Sequence, residues 1–163
     1  MQPMRHLDRD TRRARLLAAR TRPVGGINRR GIFTGDDVSR AVRPLKPKSP
    51  RSRLVEVEQT NNRGGGSVWP LEAILSVTEA ARAHDLALHM DGARLMNAAV
   101  ASGVAARDFA APFDSVWLDL SKGLGCPIGG VLAGSTKFIE GAWAWKHRFG
   151  GAMRQAGILA AAG

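Results

Sequence analysis

From Leu54 onward, short apolar runs alternate with helix-length segments, and that alternation restricts the fold more than any other feature of the chain. Leu54–Glu58 reads as a strand, residues 71–84 as a helix with Ile74, Leu75 and Val77 facing inward, and residues 86–90 as a second strand. A helix over residues 94–101 follows, then strands over Ser115–Asp119 and residues 129–133. Thr136–Arg148 and residues 151–162 read as further helices. Strands separated by helices imply βα units, so the expected class is α/β, with a mostly parallel sheet flanked by helices. Such sheets bind ligands at the carboxyl ends of their strands. Asp91, Lys122 and the loop after Glu58 all arrive at that rim.

The first third of the chain differs in composition. Residues 1–53 hold Pro3, Pro23, Pro44, Pro47 and Pro50 with little periodic apolar pattern, so a basic N-terminal segment (1–53) and an α/β core (54–163) are expected. Residues 5–20 carry a weak helical stripe, and Asp36-Asp37 after Thr34-Gly35 can start a short helix running through Val42. The net charge is +10, but residues 1–53 hold 15 Lys+Arg against 4 Asp+Glu, whereas residues 54–163 hold 9 against 10. A basic arm can contact nucleic acid. This one has only Phe33 as an aromatic and no recognised binding motif, so a nucleic-acid module is the weakest of the functional readings. No apolar run approaches the ~20 residues of a membrane span, and the arginine-rich start has no secretory core. With Cys126 as its single cysteine the chain forms no internal disulfide, and a cytoplasmic protein is expected. Cys126 has no Cys or His at metal spacing, so no metal site is expected.

Two words carry chemistry. Asp91-Gly92-Ala93-Arg94 and Ser121-Lys122-Gly123-Leu124-Gly125 each follow an apolar run. A carboxylate at one strand end and a lysine at the next describe a pyridoxal phosphate site. The carboxylate would hold the pyridine nitrogen protonated, and the lysine would hold the aldehyde carbon as a Schiff base. Blander roles exist: a surface lysine in a glycine-rich turn, and an aspartate capping the helix near Arg94.

With Glu58-Gln59-Thr60-Asn61-Asn62, Gly64-Gly65-Gly66 and Gly150-Gly151-Ala152-Met153-Arg154-Gln155, these words resemble the threonine aldolases of the β-eliminating lyase group, in matching order and spacing. The resemblance implies an incomplete large domain of an aminotransferase-like pyridoxal-phosphate enzyme that cleaves β-hydroxy-α-amino acids to glycine and an aldehyde. It also implies a homo-oligomer acting on a small-molecule substrate. Carried over, it makes Lys122 the Schiff-base lysine, Asp91 the pyridine-nitrogen partner, and Arg94 the partner of the cofactor's phenolate or the substrate carboxylate. His6 would stack on the ring, while Ser121 and Arg154 would help hold the phosphate.

Two departures qualify the expectation. Asn61 stands where the family often has a histidine near the substrate hydroxyl, and an asparagine has no group that titrates near neutral pH. Proton removal would then fall to water, the cofactor phosphate or His89, although His89 reads more simply as a half-buried strand histidine. The phosphate cradle and the closing small domain are also missing, so the chain reads as a fragment. An active lyase and a silent remnant that keeps the fold both stay open.

Overall fold

The computed structural model of the chain describes residues 28–48 and 50–163. Among the described residues four strands form one sheet in sequence order: β1 (Leu54–Glu58), β2 (Ala87–Gly92), β3 (Ser115–Asp119) and β4 (Gly130–Gly134). The first three are parallel and β4 is antiparallel to β3. Helix α1 is Gly35–Ala41, α2 (Leu71–Ala83) joins β1 to β2, and α3 (Leu95–Ser102) with α4 (Ala106–Ala110) joins β2 to β3. Helices α5 (Thr136–Arg148) and α6 (Gly157–Ala160) follow β4. The expected α/β class with a mostly parallel sheet is the one observed.

Period-2 alternation divides the sheet into two faces. Val55, Val57, Leu88 and Met90 point into the core, where they meet Ile74, Val77 and Ala81 of α2, Ala98 of α3 and Phe109 of α4. Right-handed crossovers between adjacent parallel strands put their helices on one face, and the burial pattern agrees. Glu56, Glu58, His89, Asp91, Ser115 and Trp117 alternate with the buried positions and share the opposite face. Phe33 and Val38, around α1, join the same core.

Several expectations are corrected. Leu75 is 48% exposed rather than inward, because consecutive residues on a helix do not share a face and Ile74 takes the buried place. Residues 151–162 form only the short helix α6, with none of its residues buried. Gly150 turns the chain at φ 70 after α5, and the Ala/Gly-rich segment beyond has no apolar stripe to pack. Helix α4 was not anticipated, since its five residues are too few to show a period. Trp69 packs in the core, edge-on to Phe33 with ring centroids 4.8 Å apart, while Trp143 and Trp145 of α5 are exposed. The helix expected over residues 5–20 lies outside the described residues. Among the described residues no helix is long and apolar enough to cross a membrane.

Candidate active site at the carboxyl edge of the sheet

The carboxyl ends of β1, β2 and β3 form one rim, and the sequence-predicted residues gather there. Asp91, next to last in β2, lies in register between Glu58 of β1 and Trp117 of β3. Its Oδ1 accepts the Ala93 N–H at 3.0 Å, and its main-chain oxygen accepts the Gln59 N–H at 2.8 Å. The other carboxylate oxygen has no hydrogen-bond donor among the described residues. Asp91 therefore closes the turn before α3 and does not cap it; the N-cap position falls to Arg94, which makes no side-chain cap bond. Arg94 donates its N–H to the Gln59 oxygen at 2.9 Å and its guanidinium to Asn62 Oδ1 at 3.4 Å. Among the described residues it forms no ion pair with Asp91.

Lys122 sits on the loop from β3 to β4, with its Nζ 2.9 Å from Asp119 Oδ2. The lysine side chain is 42% exposed and that of Asp119 only 12%, so the amine stands at the surface above a more enclosed carboxylate. Ser121 donates both its N–H (2.8 Å) and its hydroxyl (2.7 Å) to Asp119 Oδ1. The Lys122 ammonium and then the two Ser121 donors hold the Asp119 carboxyl down to about 2. Asp119 was missed in the sequence. Its signal was its place two residues before a serine, the spacing of a side-chain turn.

The loop after β1 is tied at both ends. Gln59, fully buried, donates to the Trp69 oxygen (3.2 Å) and accepts the Trp69 N–H (3.0 Å). Asn61 donates to the Gly31 oxygen (3.3 Å) and accepts the Gly64 N–H (2.7 Å), so its amide is spent on holding the loop to residues 28–32. A Cβ on Gly64 would run into the Arg30 carbonyl, and Ser67 also donates to that carbonyl. Thr60 Oγ1 and Trp69 Nε1 are buried with no hydrogen-bond partner among the described residues.

One pleat behind Asp91 lies a second polar row, Glu56–His89–Ser115, in register across three strands. His89 Nδ1 and Ser115 Oγ are 2.7 Å apart. Much of Glu56 is open to solvent, yet the sheet crowds its carboxyl and pushes its pKa up. The charge of His89 opposes that rise, and those of Asp91 and Glu58 add to it.

The remaining predicted residues are less central. Ser121 spends its hydroxyl on Asp119. Arg154 is exposed in the segment between α5 and α6 and makes no hydrogen bond or ion pair among the described residues. His6 lies outside them. Cys126, largely buried, donates its Sγ to the Ala162 oxygen at 3.0 Å, packing the chain's last turn beneath the lysine loop. Among the described residues no group of three or more His, Cys, Asp or Glu is placed to hold a metal ion.

The family model described as Beta-eliminating lyase matches residues 3–163. The chain belongs to this family. It is 42% identical over 133 residues to the low specificity L-threonine aldolase of Escherichia coli K12, covering 82% of this chain and 39% of that protein. It is 38% identical over 148 residues to low-specificity L-threonine aldolase 1 of Arabidopsis thaliana, covering 85% of this chain and 41% of the relative. The chain thus spans about two fifths of the length of these relatives. A crystal structure from Listeria monocytogenes, described as an L-allo-threonine aldolase, superposes with a TM-score of 0.72 at 25% identity. That match covers 92% of this chain and 39% of the other. The resemblance read from the motifs and the aminotransferase-like architecture are both repeated in these relatives.

Proposed function

We propose that this chain supplies the covalent lysine and the ring-nitrogen carboxylate of a pyridoxal-phosphate-dependent aldehyde-lyase. Its substrates would be β-hydroxy-α-amino acids of the threonine or phenylserine type, cleaved to glycine and an aldehyde. The observation that carries this reading is the juxtaposition of Asp91 and Lys122 at the ends of adjacent strands in a member of the beta-eliminating lyase family. The residues fit the cofactor's ring and aldehyde: among the described residues no donor reaches the second carboxylate oxygen of Asp91, and Lys122 presents a primary amine at the surface.

When bound, the cofactor supplies an electron sink for the pair released as the substrate's Cα–Cβ bond breaks. Asp91 keeps a proton on the ring nitrogen through a charge-assisted hydrogen bond, a contact contributing on the order of 1.5–3 kcal/mol. Lys122 would hold the cofactor's aldehyde carbon through its amine, once released from Asp119 and with its proton passed to solvent. Arg94, beginning α3 beside Asp91, offers a fork for the substrate carboxylate. Neither Asn61, whose amide is committed to the loop, nor His89, one pleat behind the rim and bound to Ser115, is placed to take the β-hydroxyl proton. A homo-oligomer is part of the same proposal.

The whole chain should be mixed with pyridoxal phosphate, reduced with borohydride and mapped by peptide mass. The expected result is the cofactor on Lys122, with glycine released from threonine or phenylserine before reduction. Labelling elsewhere, or none, overturns the site assignment. A labelled Lys122 without glycine leaves a cofactor-binding fold that has lost turnover.

A further inference from the structure

The two glycines of the lysine loop are needed for different reasons. Gly125 has φ 73, and a Cβ built on it would meet nothing within 4 Å, so its requirement is conformational. Gly123 has no positive φ. Instead, a Cβ there would run into Asn97 Oδ1 and lie 2.8 Å from its Cγ and 2.9 Å from its Nδ2. The Asn97 side chain therefore fills the space that any other residue at 123 would claim. Asn97 is the third residue of α3, the helix that starts directly after the Asp91–Arg94 turn. Its side chain is exposed, has no hydrogen-bond partner among the described residues, and lies against Gly123.

We propose that Asn97 is a positioning residue that fixes Lys122 relative to Asp91. The inference rests on the reading of Lys122 as the covalent lysine. The connection is short: Asp91 shapes the turn that starts α3, α3 carries Asn97, and Asn97 abuts the residue next to Lys122. The lysine loop is tied to β3 through Asp119 and to the chain's last turn through Cys126, and these ties leave it free to shift relative to α3. Contact with a third element removes that freedom, and small displacements of a reacting group carry large rate penalties.

The test compares the wild-type chain with Gly123→Ala, Asn97→Ala and the double variant. Two readouts are taken: the rate of pyridoxal phosphate capture at Lys122, trapped with borohydride, and the rate of Lys122 acetylation by acetic anhydride, which needs no cofactor. Gly123→Ala should slow capture severalfold by turning the exposed Asn97 side chain out of its seat, and Asn97→Ala should slow it to a similar degree by removing the same contact. The double variant should be no slower than either single variant, because both remove one contact. Acetylation of Lys122 should change in both single variants while the thermal midpoint of Asn97→Ala stays near wild type. Asn97→Ala at wild-type rates in both readouts overturns the inference, as does a double variant whose loss is the product of the two single losses. Should Gly123→Ala fail to fold, Asn97→Ala and Asn97→Ser decide alone, with the serine, which keeps a polar atom, expected to fall between alanine and wild type. A wild-type Lys122 that captures no cofactor sinks the proposed function, and the acetylation arm still judges Asn97.

Discussion

Asp119 and Glu56 are carboxylates on the same sheet face, pushed in opposite directions by their neighbours. Asp119 is held down to about 2 by Lys122 and Ser121. Because that lies below its ordinary 3.8, the stabilisation it gives is present above 3.8 and fades as pH falls toward 2. Asp119→Asn should lower stability at neutral pH and converge with wild type in acid, which a pH series of thermal midpoints reads directly. The same substitution strips the Lys122 ammonium of its partner, so Lys122 should acetylate faster at neutral pH. Glu56 has its pKa raised, chiefly by desolvation. Its ionised form is penalised in the fold, so wild type bears no penalty below the ordinary 4.5 and a growing one as pH rises past it. Glu56→Gln should therefore melt higher than wild type at neutral pH and level with it in acid; equal midpoints throughout would remove the desolvation argument.

Among the elements, legibility in the sequence tracked how much of each one is buried. Strands β1 and β2 show a period of two because one face is packed and the other polar, and α2 shows its stripe because Ile74, Val77 and Ala81 share a core. Nothing comparable marks residues 151–162, where no side chain of α6 is buried, so a helix-friendly composition overstated the helix. Helix α1 was legible from its cap: Thr34 accepts the Asp37 N–H while the Asp37 carboxylate takes the Thr34 N–H and hydroxyl. Thr34→Ala should cost about 1 kcal/mol, seen as a lower denaturation midpoint with unchanged slope. Thr34→Ser, which keeps the cap, should cost far less.

At the scale of the whole molecule, the site was legible in its chemistry and not in its supports. Asp91 and Lys122 stand out because a motif spells them. Asp119 depends on how the loop after β3 folds back, and His89–Ser115 depends on strand register, which one linear sequence does not display. One core holds these pieces together, and Phe109 of the unforeseen helix α4 lies at 0% exposure within it. Phe109→Ala should cost about 3–5 kcal/mol, measured by denaturant unfolding, while leaving the face that bears Asp91 unaltered. The strand order β1-β2-β3-β4 has a consequence for synthesis. Among the described strands none has to be threaded between two already paired, so each of these four can add to the growing edge as it leaves the ribosome. The turn at Asp91 can form while Lys122 is still untranslated, so the carboxylate can be in place before the amine arrives.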